Sequence, residues 1–199
     1  MNLVAHQLLS FHQPEIQIGN LYGEIVRGKD YENFPPGIQK GILLHRQIDS
    51  FTDQHVAVKN STQKFHKRFG KYAPVIVDVL YDYLLISDWK KYSPQPYEEF
   101  VDECYQLFRS HFEDFPPALQ FMINHLLQHD WFRNYATIEG IGQTLKGIGR
   151  RSKFPNNISQ ATEEIQLYLP DFQKDFNLFF PELTEHCRLF LNDGLRFNV

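Results

Sequence analysis

Residues 41–53 carry polar side chains at helical spacing. His45, Asp49 and Asp53 are successive i, i+4 neighbours, so a helix would place an imidazole and two carboxylates on one face. Such a set can bind a divalent metal or transfer protons. The alternative is an ordinary solvent-exposed polar face, with Arg46 as an ion-pair partner.

Two further carboxylates, Asp78 and Asp82, lie in the strongly apolar segment 75–86. We expect this segment to be buried, and like charges on adjacent buried turns are costly unless cations compensate. A divalent metal bound by Asp78 and Asp82 is the economical explanation, with His45, Asp49 and Asp53 as its plausible complement. Nitrogen and oxygen ligands suit Mn²⁺, Fe²⁺ or Zn²⁺, and the excess of carboxylates favours Mn²⁺ or Mg²⁺. The alternative is a buried network of aspartates and arginines.

The first thirty residues add a second group of polar side chains. His6 lies in an apolar stretch, where a single histidine is usually a hydrogen-bonded core residue. Asn20, Glu24 and Arg27 follow i, i+4, i+7 spacing and share one helical face. Arg27 and Arg46 suit a phosphate, because guanidinium groups match its oxygens.

Helical spacing appears almost everywhere, whereas strand and hairpin signals are scarce. The sequence predicts an all-α protein, a single compact helical domain over residues 1–199 with about seven to nine helices. Prolines mark several helix starts, and a break is expected near His55. We expect a loop at 150–153 and breaks in the last helix at Pro170 and Pro181.

Composition excludes several classes of function. The chain carries 20 Lys and Arg against 24 Asp and Glu, a net charge of −4, which gives no support to nonspecific nucleic-acid binding. No segment has the apolar length of a membrane span, and the first residues lack a signal-type pattern. Cys104 and Cys187 are interpreted as reduced thiols. These features predict a soluble, cytoplasmic protein.

Four ordered motifs resemble the acyl carrier protein phosphodiesterase family, also called acyl carrier protein hydrolase. They are Met1-Asn-Leu-Val-Ala-His6, Gly19-Asn20-Leu-x-x-x-x-Val26-Arg27-Gly28, Gly41-Ile-x-x-His45-Arg46-x-Ile-Asp49-x-x-Thr-Asp53 and Val77-Asp78-x-x-x-Asp82. The likeness extends to about Lys153. This chain has Glu24 where the family often has Asp, and Tyr83 where relatives commonly have His.

The resemblance implies a fold like that of the His-Asp phosphohydrolases and dependence on Mn²⁺, with Fe²⁺ or Mg²⁺ as alternatives. The implied reaction hydrolyses the phosphodiester that joins 4′-phosphopantetheine to a serine of holo-acyl carrier protein. The partner is therefore an acidic protein, with no nucleic acid involved. In this reaction His6 or Asp53 would carry the proton, and Arg27 or Arg46 would take up charge on the phosphate oxygens.

Substrate contacts are expected from Asn20, Glu24 and the basic residues Arg150 and Arg151. Together with Lys153, the two arginines form a patch that could bind the acidic carrier protein; the alternative is a solvated loop. Two other functions stay open at this point. One is a metal-dependent phosphohydrolase of a nucleotide or other small phosphate ester, and the other is a non-catalytic helical binding protein.

Overall fold

A computed structural model describes residues 2–193, and all regular secondary structure within them is helical. Within these residues eight α-helices have ten residues or more and four are shorter. The all-α prediction is confirmed, but twelve helices exceed the seven to nine expected, since two of the short ones have only four residues, too few to show a spacing pattern. In chain order they are α1 Leu3–Leu8, α2 Pro14–Gly23, α3 Pro36–Gln54, α4 Val56–Phe69, α5 Ala73–Ser87, α6 Trp89–Tyr92, α7 Tyr97–Ser110, α8 Pro117–Gln128, α9 Trp131–Asn134, α10 Ile138–Arg151, α11 Ala161–Leu167 and α12 Leu169–Asp193.

Local signals explain where most helices begin and end. A proline lies in the first turn of α2, α3, α5 and α8, where its missing N–H costs no helical hydrogen bond. The predicted break at His55 is confirmed: its backbone is extended, and its Nδ1 accepts from the backbone N–H of Ala57 at 3.2 Å. Gly70 ends α4 with a positive φ of 52°, which favours glycine.

The predicted break at Pro170 is confirmed, since α11 ends at Leu167 and α12 begins at Leu169. Two other predicted interruptions are wrong in whole or in part. Of the expected loop at 150–153 only residues 152 and 153 are non-helical, because residues 150 and 151 form the last turn of α10. The helix begins with a hydrogen bond from Gly140 N–H to Thr137 Oγ1 at 3.0 Å and buries Ile141. α12 continues through Pro181, because burial of its apolar face outweighs the loss of one backbone hydrogen bond.

Aromatic rings fill the core between α4, α5 and α12. Phe65 stacks on Phe172 with ring centroids 4.9 Å apart, and Tyr81 meets Phe176 edge-on at 5.2 Å. The Tyr81 hydroxyl donates to Ser61 Oγ at 2.9 Å, so its polar end is satisfied. These contacts bury most of α5, as its apolar sequence predicts.

Helices α2 and α3 cross at two glycines. A Cβ on Gly41 would lie only 2.7 Å from Gly19 Cα, so the backbones are in direct contact. The crossing brings Asn20 of α2 next to His45 of α3. Within residues 2–193 no helix combines the length and apolar character needed to cross a bilayer.

Candidate metal centre and active-site cleft

Helices α1 and α3 bring two histidines and one aspartate together. His6 Nε2 lies 3.3 Å from one oxygen of Asp49, and His45 Nε2 lies 3.2 Å from the other. The two imidazole rings have centroids 4.4 Å apart. Ligand atoms of His6, His45 and Asp49 all lie within 4.8 Å of one another. These three residues are called the His-His-Asp cluster below.

Asn20 contacts both imidazoles on the side away from Asp49. Its Oδ1 lies 2.8 Å from His6 Nδ1 and 3.0 Å from His45 Nδ1. The Asn20 amide nitrogen donates to the His6 carbonyl at 3.0 Å and to Ser10 Oγ at 3.2 Å, while that hydroxyl donates to the same carbonyl. Because the amide nitrogen faces two acceptors, the oxygen must face the rings.

This network determines which ring nitrogens carry hydrogen. An amide oxygen can only accept, so both Nδ1 atoms are protonated, and a neutral ring then has a free electron pair on Nε2. Both Nε2 atoms point at the carboxylate of Asp49. Three electron-pair donors therefore converge, and a positive charge between them is required, either protons on the rings or a metal ion.

Burial and neighbouring charges shift the pKa values of His6 and Asp49 in the cluster. Burial lowers the pKa of His6, and the neighbouring charge of His45 lowers it further, against the opposing effect of Asp49. Burial alone would raise the pKa of Asp49, but hydrogen bonds from His45 and His6 hold it below its usual range. The lowered pKa of His6 favours its neutral imidazole and that of Asp49 its ionised carboxylate, which are metal-binding forms. With the ligand atoms of all three residues close together, the cluster fits a divalent metal.

The cluster lies in a cleft of about 410 Å³ that also carries Glu24, Asp53 and Asp78. This space is called the acidic cleft below. Partial burial raises the pKa of Asp53, and the charge of Asp78 raises it further. The structure thus brings His45, Asp49 and Asp53 to one cleft, as their spacing predicted, and Asp78 of α5 lines the same cleft.

Asp82 has a different place from the one expected. It was predicted as a metal ligand, but it is fully buried and does not line the acidic cleft. Its Oδ2 accepts from the backbone N–H of Val4 at 2.9 Å, at the N-terminus of α1, where unpaired N–H groups favour a carboxylate. Its Oδ1 finds no hydrogen-bond partner among the described residues. Burial raises the pKa of Asp82 to about 7.

Arg27 and Arg46 donate to backbone carbonyls. Arg27 donates to the carbonyls of Gly23 and Glu24 at 3.3 and 2.8 Å, at the end of α2. Arg46 donates to the Val26 carbonyl at 3.4 Å, and its guanidinium lies over the ring of Tyr31. Neither arginine lines the acidic cleft, and their contact with a phosphate stays a prediction.

Arg150 and Arg151 line a second, larger cavity of about 640 Å³ beside α10. We call it the α10 groove. Asn2 and Ile148 line both this groove and the acidic cleft. Sequence reasoning missed the groove, because no spacing pattern relates α10 to the N-terminus of α1.

Comparison with known proteins identifies the family. The sequence profile described as acyl carrier protein phosphodiesterase matches residues 1–183. The chain belongs to the acyl carrier protein phosphodiesterase family. A relative with that name from Escherichia coli O45:K1 (strain S88 / ExPEC) is 28% identical over 188 residues, covering 94% of this chain and 97% of its own. Another, from Shigella boydii serotype 18 (strain CDC 3083-94 / BS512), is 28% identical over 184 residues, covering 92% and 95%.

These matches confirm the family that the sequence motifs indicated and the assignment of the chain as a phosphodiesterase. No solved structure matches the chain. The relationship to the His-Asp phosphohydrolases therefore stays a prediction.

Proposed function

We propose that this member of the family is a metal-dependent enzyme that acts on holo-acyl carrier protein. It hydrolyses the phosphodiester between the serine of the carrier protein and 4′-phosphopantetheine, and releases apo-acyl carrier protein and free 4′-phosphopantetheine, called the pantetheine arm below. The observation that carries the metal dependence is the convergence of His6 Nε2, His45 Nε2 and the Asp49 carboxylate. A cytoplasmic location, as predicted from the sequence, belongs to this proposal.

His6, His45 and Asp49 would hold the metal, and Asn20 would fix the two rings from behind. Mn²⁺ is our first choice, with Fe²⁺ as the alternative. Mg²⁺ fits less well, because it prefers oxygen ligands and this set has two imidazole nitrogens. When bound, the metal supplies Lewis-acid charge toward a phosphoryl oxygen and lowers the pKa of coordinated water.

Asp53 is the residue we assign to proton transfer. Sequence reasoning left His6 and Asp53 as alternatives, but both ring nitrogens of His6 already face partners, Asn20 and Asp49. Asp53 lines the same cleft and is exposed at its surface. Its raised pKa brings it closer to the working pH, which favours general base catalysis.

The bond changes follow from these positions. A water oxygen attacks phosphorus in line with the departing serine oxygen, and Asp53 accepts the proton of the water. The bond from phosphorus to the serine oxygen breaks, and that oxygen takes a proton from solvent in the open cleft. The phosphate stays on the pantetheine arm, which leaves as the second product.

The carrier protein would dock beside the cleft through Arg150 and Arg151. Both side chains are exposed and line the α10 groove next to the acidic cleft. Carrier proteins of this class are acidic, so a local basic rim can steer them despite the net charge of −4. The Michaelis constant should therefore rise with salt, and Arg150→Glu with Arg151→Glu should flatten that dependence.

The direct test is incubation of the protein with holo-acyl carrier protein and Mn²⁺, with mass spectrometry of the carrier protein. We expect the mass of the prosthetic group to be lost, and chelation of the metal to stop the loss. His45→Ala should be inactive while remaining helical. If the protein cleaved small phosphate esters but left holo-acyl carrier protein intact, it would be a general phosphohydrolase. If it bound the metal but turned over neither substrate, it would be a binding protein.

A further inference from the structure

The α10 groove lies beside the acidic cleft. Asn2 and Ile148 contribute to the wall of both spaces. The volume of the groove, about 640 Å³, lies within the range of sites that enclose small organic molecules, roughly 300–1,000 Å³. A ligand bound at the His-His-Asp cluster would therefore have the groove as its immediate neighbour.

The two spaces carry opposite charges. Glu24, Asp49, Asp53 and Asp78 line the acidic cleft. Among the described residues no carboxylate lines the groove, which instead carries the cations Lys146, Arg150 and Arg151. The groove thus suits an uncharged or anionic segment, whereas the cleft suits a metal.

The rest of the groove offers neutral hydrogen-bonding groups beside apolar surface. Asn134, Gln143 and Thr144 provide amide and hydroxyl groups, and Trp131 and Ile148 provide apolar surface. Side chains of this mixture suit a linear chain with several amides separated by short hydrocarbon segments.

We propose that the α10 groove binds the pantetheine arm of the substrate. This inference rests on the proposed function, because it takes the scissile phosphodiester to be at the acidic cleft. That phosphorus has two ester oxygens: one leads to the serine of the bulky carrier protein, and the other leads to the arm. The arm therefore needs its own path away from phosphorus, and the groove beside the cleft offers one. The exposed Arg150 and Arg151 would contact the carrier protein at the surface of the groove, with the arm below them.

Two glycines of α10 show how the groove is built. A Cβ on Gly140 would collide with the carbonyl oxygen of Asn134, so this glycine lets α10 approach α9 closely at one end of the groove. Gly147 differs, since its Cβ would meet only Arg151 Nη1, at an ordinary contact distance of 3.7 Å. A larger side chain at Gly147 would therefore enter the groove and leave the packing of the protein intact.

Because Gly147 has open space beside it, a larger side chain at this position can block the groove specifically. Gly147→Leu should fill part of the groove, and replacing a helical glycine favours the helix. Gly142→Ala is the matched control on the same helix, because Gly142 does not line the groove and its Cβ would meet only Thr162 Cγ2 at 3.1 Å. Far-UV circular dichroism checks that both variants fold, and Gly147→Ala is a smaller second obstruction.

The kinetic test compares holo-acyl carrier protein with bis(p-nitrophenyl) phosphate, a diester without the arm. Gly147→Leu should lower kcat/KM for the holo-protein by about tenfold or more and leave hydrolysis of the small diester unchanged. Equal activity of Gly147→Leu and Gly142→Ala on the holo-protein would overturn the inference. If the wild-type protein did not cleave holo-acyl carrier protein at all, the proposed function itself would fail.

Direct binding is measured with pantetheine as the probe. The chain has two tryptophans: Trp131 lines the groove, while Trp89 is buried and gives a constant background. Pantetheine should change the fluorescence of the wild-type protein and of Gly142→Ala in a saturable way, but not that of Gly147→Leu. An identical response in all three proteins would place the arm elsewhere.

Discussion

Replacing Asn20 by alanine tests how the metal centre is positioned. The Asn20 side chain is 1% exposed and makes four hydrogen bonds, to His6 Nδ1, His45 Nδ1, the His6 carbonyl and Ser10 Oγ. In Asn20→Ala both buried Nδ1–H groups lose their acceptor. Each imidazole is then free to change its tautomer and turn away from Asp49.

The magnitude follows from those bonds. A net contribution of about 1 kcal/mol per hydrogen bond, with a larger cost for each buried donor left unpaired, predicts that the free energy of unfolding falls by about 2–4 kcal/mol. Groups that orient metal-binding histidines typically contribute about 10–100-fold to metal affinity. That factor corresponds to about 1.4–2.7 kcal/mol of binding free energy.

Isothermal titration with Mn²⁺, at a temperature where circular dichroism shows a folded protein, measures the effect. Two variants separate positioning from folding. Asn20→Asp keeps an acceptor for both rings but loses the amide donor, so it should bind metal more tightly than Asn20→Ala. Ser10→Ala retains both contacts between Asn20 and the rings and should stay close to wild type. Undiminished Mn²⁺ affinity in folded Asn20→Ala would show that Asn20 does not position the two histidines for the metal.

Three further predictions concern neighbouring residues. Gly23→Ala should lower Mn²⁺ affinity and cost about 1–3 kcal/mol of stability, because its Cβ would lie 2.5 Å from His45 Cβ; unchanged titration and melting curves would contradict this. Asp82 should favour folding most at low pH, since its pKa rises from 3.8 to about 7, and this contribution, at most about 4 kcal/mol, is lost as pH rises from about 4 to 7. Denaturation of Asp82→Asn across that range should show a flatter stability profile, and an unchanged slope would count against the assignment. Asp53→Asn should lower kcat about 10²–10⁴-fold with metal content unchanged, so loss of the metal would indicate a ligand instead.

Much of the fold follows from local signals in the sequence. Prolines and apolar spacing predict most of the long helices, and an extended His55 separates α3 from α4 as expected. Pro181 shows the limit of local reasoning. Proline disfavours a helix interior, but the packing of α12 outweighs this effect. That packing depends on helices distant in sequence, such as α5.

The same division holds for the candidate site. His45, Asp49 and Asp53 share a cleft because i, i+4 spacing on one helix places them there. The role of Asp82 cannot be predicted from spacing. Its buried carboxylate accepts a hydrogen bond from Val4 at the N-terminus of another helix. Only the tertiary contact between α1 and α5 reveals that partner.

Asn20 illustrates a further gap between sequence and site. Its spacing predicted a substrate contact, whereas its amide oxygen faces two imidazoles from different helices. The close crossing of α2 and α3 at Gly19 and Gly41 makes this possible. Gly19 and Gly41 can be read in the sequence, but no local pattern predicts that they contact each other.

Crystallography of the protein with Mn²⁺, with diffraction data collected at the manganese absorption edge, shows directly whether the His-His-Asp cluster binds the metal. We expect an anomalous difference peak bounded by His6 Nε2, His45 Nε2 and the Asp49 carboxylate, and no such peak in Asp49→Ala. An ordered Mn²⁺ at another position, with this cluster empty in an active protein, would overturn the assignment.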